Sequence, residues 1–520
     1  MNFTIFSFFT QPGEKEKYSL HKDGLTILFL LLTMRRELSL LSSITGKNNS
    51  PLFKPTQRKS KPIMETQNAQ ALREEPVGKL LVRLCAPAIA AQVINLLYNL
   101  VDRMYIGRIP EAGTLALTGV GVCLPLIMII SAFAALAAMG GAPRASIFMG
   151  KNDFDSAEKT LGNCVSLLVA LSVILTVVFQ LFGRQLLLMF GASENTIPYA
   201  QGYLSVYSLG TLFVQLTLGL NGYITAQGFS KISMFTVLIG AVANIILDPI
   251  FIFALNMGVE GAAFATILSQ ALSMIWILRF LTGKKTLLRI RKKNLRLQKA
   301  IVLPAVALGL SPFIMQATES LIAICFNSSL LRYGGDLAVG SMTILTSVMQ
   351  FAMLPMMGLS QGAQPIISFN YGARQAERVR RAFRYLLVST TIYSFTLWLA
   401  AELSPQTFVL IFNNDPALLR YASRALRIYM AAMGIFGVQI ACQQTFIALG
   451  NAKTSLFLAL LRKILLLIPL IYLMPCLMSD KVTAVFIAEP IADLLAVATT
   501  ATLFTLQFRK TMAEMKTSAA

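Results

Sequence analysis

The stretch Ala243-Asn244-Ile245-Ile246-Leu247-Asp248-Pro249 sits in the middle of an apolar run, 233–255, with the length and polarity of a membrane span. Asn244 and Asp248 stand at i and i+4 and so share one face of a helix. A carboxylate in hydrocarbon is costly, and intramembrane acids mark ion paths, substrate sites or paired contacts. Pro249 follows at once; it has no N–H to give the helix, and its ring crowds the carbonyl one turn back. Backbone opened beside a buried carboxylate is how membrane proteins build cation sites. The competing reading is a plain helix contact with one protonated, silent acid, and the rest of the chain decides between the two.

The chain has 520 residues, of which 55% are hydrophobic and 13% charged, and its mean hydropathy is +0.65. A soluble protein would carry about 25% charge. Separate apolar stretches of spanning length recur along it, so the expected fold is an all-α polytopic membrane protein. The net charge of +21 points to no nucleic acid; basic residues gathered in loops on one side are the orientation signal of a membrane protein. Cys85, Cys123, Cys164, Cys325, Cys442 and Cys476 fall in or near apolar segments without CxxC spacing and read as small core residues. The single histidine, His21, excludes a multi-histidine metal site.

Residues 1–75 read as an N-terminal tail, disordered or arising from a misplaced start, with Met64 the expected true start. The tail's one apolar run, 25–33, is too short to span. Twelve spans follow, near 80–106, 115–140, 160–183, 198–225, 232–255 and 259–281, then 301–329, 337–364, 382–404, 420–447, 455–475 and 482–506. They divide the chain into a first six-helix bundle (76–281), a basic connector (282–300), a second bundle (301–508) and a C-terminal tail (509–520). The connector holds Lys284, Lys285, Arg289, Arg291, Lys292, Lys293, Arg296 and Lys299 and no acid. The loop after the eighth span is also basic. Both termini are therefore expected in the cytoplasm.

The bundles are two copies of one unit. Gly150 matches Gly372, Tyr207 matches Tyr429, Gly228 matches Gly450, Lys231 matches Lys453 and Phe235 matches Phe457, each pair 222 apart (450 minus 228, for example). Six spans return the chain to the side it left, so the halves are parallel repeats about a pseudo-twofold axis along the membrane normal, with a cleft between them. That architecture suits a machine that alternates access to a central site. The repeat breaks at the opening stretch. Asn244 and Asp248 correspond to Leu466 and Leu470, which makes the second half hydrocarbon where the first is polar.

Gln92, Asn95, Asn99 and Asp102 form a polar stripe on one face of the first span. It must face protein or a wet cavity; interhelical hydrogen bonding accounts well for Gln92 and Asn95 and poorly for Asp102. Thr266 lies as far after the turn at 257 as Asp248 lies before it, so the two share a depth, and Ala262 shares the face of Thr266. Two carboxylates, an amide oxygen and a hydroxyl make a hard-oxygen set, suited to Na⁺ or a proton and not to zinc or copper.

Asp102 in Tyr98-Asn99-Leu100-Val101-Asp102-Arg103-Met104-Tyr105-Ile106-Gly107, the Asn244/Asp248 pair and Gly261-Ala262-Ala263-Phe264-Ala265-Thr266 resemble the multidrug and toxic compound extrusion (MATE) transporters, in the bacterial branch related to the DNA-damage-inducible and staphylococcal multidrug members. The resemblance covers about residues 76–510. It implies efflux of organic, often cationic compounds in exchange for Na⁺ or H⁺ across the plasma membrane, by a monomer without a cofactor. It also implies a cation site at Asp102, Asn244, Asp248 and Thr266 with the backbone oxygen of Ala262. An acidic site found in the second bundle of another branch has Glu319 as its nearest candidate here.

Met342, Met349, Met353 and Met356, with Gln350, fall along the eighth span and offer an adaptable lining for flat apolar cations, against the alternative of ordinary packing. The substrate cleft is thus expected among these and Gln92, Asn95 and Asn99. Glu489 and Asp493 in the last span are secondary acidic candidates. No nucleophile–base pair or metal cluster supports an enzyme. Gly450-Asn451-Ala452-Lys453-Thr454 lacks the first glycine of a phosphate loop and has a repeat partner at 228–231. The closer rival is a lipid-linked sugar flippase of the same superfamily, which needs a basic cleft for pyrophosphate, whereas the intramembrane charges here read as mainly acidic. A chain begun at Met64 should insert and transport like the full one; transport lost upon deletion of 1–63, with the protein still in the membrane, would refute the misplaced start.

Overall fold

With no water in hydrocarbon to serve its amides, an apolar run must close its backbone hydrogen bonds internally. The computed structural model describes residues 63–110, 112–412 and 415–517, and among them every spanning element is helical and there is no strand. The first half comprises α1 (Ile63–Glu74), α2 (Val77–Gly107), α3 (Gly113–Gly150), α4 (Phe154–Met189), α5 (Ile197–Leu209), α6 (Thr211–Ala226), α7 (Ser230–Pro249) and α8 (Gly258–Thr282). The second comprises α9 (Lys299–Gly372), α10 (Ala376–Leu403), α11 (Pro405–Leu410), α12 (Pro416–Tyr429), α13 (Met433–Ala448), α14 (Ala452–Leu460), α15 (Ile468–Leu477) and α16 (Lys481–Thr517). A π-helical turn, Ile250–Ala254, extends α7, and another, Leu461–Leu467, joins α14 to α15.

The span count follows from length. Among the described residues nine helices are long and apolar enough to cross a membrane, and the pairs α5–α6 and α12–α13, bent by 59° and 47°, bring this to eleven. The twelfth is inside α9. Its 74 residues would reach about 110 Å if straight, more than three hydrocarbon cores. The chain instead folds back at Gly335, whose φ of 65° and ψ of −162° are open to glycine and closed to most other residues.

The backbone carries the repeat in detail. Asn152 and Arg374, both left-handed (φ 61° and 57°), are repeat partners, as are Gly228 and Gly450 (φ 83° and 77°). The two bundles meet by close helix crossings. A Cβ added at Gly150 would collide with the carbonyl of Phe369, and one at Gly372 with that of Ile147; Gly140 and Gly309 are likewise closed by the carbonyls of Ala305 and Leu136. Small residues let the α3 and α9 backbones touch, as membrane helices do where hydrophobic drive is absent. Gly358 and Gly362 admit α2 at Ile89 and Cys85. All these contacts lie in the half of the bundle nearest the connector.

Two sequence expectations need correction, and one gains detail. Of the expected tail 1–75, residues 1–62 lie outside the described residues, but Ile63–Glu74 is helical and Leu72 is buried. Arg378 donates to the carbonyls of Leu72 (3.1 Å) and Glu75 (2.8 Å), which ties this helix to the second half. At the other end the expected tail 509–520 is helical to Thr517, with Met512 and Met515 buried. Both segments are amphipathic enough to pack, which a hydropathy reading tuned to spans passes over. Among the cysteines, Cys476 is exposed while the other five are buried.

Gly372→Ala should force α3 and α9 apart and cost about 1–3 kcal/mol, read as a lower thermal midpoint in detergent. Gly121→Ala, whose Cβ would meet nothing within 4 Å, is the matched control and should not destabilise.

Candidate functional site

Pro249 cannot donate to the carbonyl of Ile245, so α7 loses its regular ladder and continues as the π turn Ile250–Ala254. Asn256 (φ 53°) and Gly258 (φ 56°) then reverse the chain into α8. Gly261 lets α8 start against the π turn, since a Cβ there would stand 2.7 Å from the Phe251 carbonyl carbon. This local geometry sets Asn244 and Asp248 of α7 beside Thr266 of α8, as the shared depth predicts. The Asn244 Nδ2 donates to Asp248 Oδ1 at 3.0 Å and reaches Thr266 Oγ1 at 3.4 Å; the Thr266 hydroxyl donates to the Ala262 carbonyl at 3.0 Å.

α2 brings the remaining carboxylate, and the side chains of Asp102 and Asp248 come within hydrogen-bonding reach of each other. Asp248 is wholly buried and Asn244 is 1% exposed. Three buried oxygens, Asp102 Oδ1, Asn244 Oδ1 and Asp248 Oδ2, have no hydrogen-bond partner. An acceptor cluster with two carboxylates and three unpartnered oxygens has the chemistry to take up a cation or a shared proton. Tyr203 of α5, also buried, approaches Thr266 and stacks on Tyr207 with centroids 5.8 Å apart. Sequence reasoning passed over these tyrosines, although two phenols one turn apart in a span are a polar signal.

The other stripe residues turn elsewhere. Gln92 donates to Gln361 Oε1 at 3.2 Å, a contact between the two halves. Asn99 donates to the Asn95 carbonyl at 2.6 Å within its own helix, and both of these asparagines are exposed. Of the methionines, Met342 and Met356 are buried in the core of the second bundle beside Phe326 and Phe436, and Met349 and Met353 pack against that core with partial exposure. A spacing of seven along a helix marks an inward face equally well whether the face meets a cleft or a core. Gln350 is exposed.

The second bundle is not hydrocarbon at the matching depth, contrary to expectation. Arg462 and Lys463, on the π turn Leu461–Leu467, are buried. Arg462 donates from Nε to Asp493 (2.6 Å) and from Nη2 to Glu489 (3.2 Å), with its guanidinium 4.5 Å from the Phe436 ring centroid. Lys463 pairs with Glu319 at 2.8 Å. All three secondary acids are thus held by basic residues. The signal was available: two consecutive bases inside an apolar span have to find acids. Among the described residues no group of three or more His, Cys, Asp or Glu could hold a metal.

A family model described as MatE matches residues 87–250 and again 312–473, one match in each bundle. The multidrug export protein MepA of Staphylococcus haemolyticus is 24% identical over 435 residues, which are 83% of this chain and 95% of that protein. MepA of Staphylococcus aureus strain N315 is equally similar, 24% over the same shares. Among solved structures, a MATE protein in its bent conformation superposes with a TM-score of 0.80 at 23% identity, covering 87% of this chain and 99% of its own. A MOP superfamily transporter from Pyrococcus furiosus, described as having a binding pocket of reverse polarity that suggests a different function, superposes at 0.78 and 23% identity, covering 86% and 99%.

Arg462→Met should destabilise by about 3–5 kcal/mol, because it strands two buried carboxylates. Adding Glu489→Gln and Asp493→Asn should restore most of the loss. Thermal unfolding in detergent decides it: a single variant as stable as the parent would remove the pairing from the fold's support.

Proposed function

Because the chain belongs to the MatE family of multidrug efflux transporters, which are not enzymes, we propose that it exports organic cations in exchange for H⁺ or Na⁺ by alternating access between its two bundles. The observation that carries the coupling is the cluster of unpartnered buried oxygens on Asp102, Asn244 and Asp248. Two carboxylates in low dielectric resist being charged together. An ion between them removes the repulsion, so α2 packs against α7 more tightly when the site is loaded. Na⁺ would take the carboxylates, the Asn244 amide oxygen, the Thr266 hydroxyl and the Ala262 carbonyl; a proton would be shared by the aspartates. The turn after Pro249 gives α7 and α8 room to adjust, and the repacking of α2 is the two-state element that releases substrate.

Orientation follows from charge. The basic connector supports a cytoplasmic position for that end and for both termini, in the plasma membrane. The bundles touch in the connector half, while Asn95 and Asn99 farther along α2 are exposed, which supports a cleft that opens away from the connector in this conformation. The protein acts as a monomer and needs no cofactor. The flippase reading is disfavoured by the second bundle, where three acids outnumber two bases; a pyrophosphate would need the reverse.

Asp102→Asn and Asp248→Asn, nearly isosteric, should each lower gradient-driven efflux at least about tenfold while leaving folding intact. Leu470→Asn, at the repeat-equivalent position, should keep coupling. Efflux in vesicles under an imposed Na⁺ or pH gradient, normalised to folded protein, tests this; near-normal coupled efflux from both aspartate variants would make the acids structural.

A further inference from the structure

The connector is docked, not loose. The buried Gln227 side chain accepts hydrogen bonds from Thr286 Oγ1 (2.8 Å) and the amides of Leu287 (2.7 Å) and Leu288 (2.9 Å). Farther along, Asn163 of α4 donates to the Asn294 carbonyl (3.3 Å) and accepts from the Gln298 amide (2.6 Å). Arg291 pairs with Glu158 at 2.7 Å, and the Ser166 hydroxyl donates to the Leu295 carbonyl.

Held this way, Leu295 forms one wall of a groove of about 580 Å³ along α4, lined by Val165, Val169, Ala170, Val173 and Ile174. The one hydroxyl in its wall, on Ser166, is already used by Leu295, so the groove asks for hydrocarbon. It opens outward, with Val173 and Ile174 58% and 56% exposed, on a helix whose outer face meets lipid. From residue 165 to 174 it runs about 14 Å, starting where α4 leaves the docked connector and running into the span. The residue after Leu295 is Arg296. Lys292, Arg296 and Lys299 are exposed, and among the described residues none of them is ion-paired, whereas Arg291 and Lys293 are taken up by Glu158 and Asp155.

We propose that this groove holds an acyl chain of an anionic phospholipid whose phosphate lies against Arg296 and Lys299. Juxtamembrane bases attract anionic headgroups, and a preformed apolar wall beneath them converts that attraction into a defined site. Bound there, one lipid bridges the connector and α4 and so steadies the link between the bundles.

The full chain in detergent is titrated with dioleoylphosphatidylglycerol or dioleoylphosphatidylcholine and bound lipid is counted by native mass spectrometry. The wild type should retain the anionic lipid preferentially. Arg296→Glu/Lys299→Glu should lower that preference about tenfold or more, and Val169→Trp, which fills the groove, should release the lipid while leaving the bases in place. Arg509→Glu/Lys510→Glu, the same charge change on α16, should behave as wild type. The proposal fails if the α16 variant loses the lipid equally, if Val169→Trp retains it, if glycerol phosphate without acyl chains displaces it, or if the groove is found covered by a second copy of the chain. A thermal midpoint for each variant separates loss of the site from loss of the fold.

Discussion

Hydrocarbon offers no hydrogen bonds, and the organisation of this protein follows from how each polar group copes with that. Most hydroxyls in the spans solve it locally. Thr118, Ser131, Thr318 and Thr390 each donate to a carbonyl one turn back, at 2.8, 3.1, 2.6 and 2.8 Å. The second bundle solves it by pairing, with Arg462 and Lys463 distributed over three acids. The first bundle leaves acceptor oxygens of Asp102, Asn244 and Asp248 among those without a partner. Other buried polar atoms also lack a partner, the Tyr223 hydroxyl and Gln215 Oε1 among them; what sets these three apart is that all are acceptor oxygens, two of them on carboxylates.

The two bundles therefore use one scaffold for opposite electrostatic ends. Each opens its backbone with a π turn beside a proline, after Pro249 in the first half and before Pro469 in the second. In the first, the opening faces unpaired acids. In the second, it carries the bases that neutralise acids from α9 and α16. A closed ion network is a rigid object, since parting its members strands charge in low dielectric. An open acidic cluster lacks that constraint, since its carboxylates hold no basic partner whose loss would strand charge. The first bundle thus carries an open acidic cluster where the second carries a closed ion network.

Glycine crossings between α3 and α9 set how the bundles meet. Backbone against backbone, without interlocked side chains, gives a contact that is close when made and leaves few rotamers to reorganise when broken. The docked connector keeps the bundles linked on the same side, through Gln227, Asn163 and Ser166.

Much of this was legible in the sequence because it depends on hydropathy and spacing. Span lengths, the repeat of 222, the basic connector and the pairing of Asn244 with Asp248 on one face are one-dimensional facts, and the turn at 257 was enough to bring Thr266 level with Asp248. The sequence could not say which way a periodic face points. Met342 and Met356 share a helical spacing that a cleft or a core would produce alike, and packing against Phe326 and Phe436 placed them in the core. Nor could it pair charges from distant spans: Arg462 and Lys463 take their meaning from Glu319, Glu489 and Asp493, which lie 144, 27 and 31 residues away. Local pattern determined the helices and the first bundle's acidic face; only the tertiary structure decided which charges are spent on each other and which remain open, because in low dielectric a charge is defined by its partner.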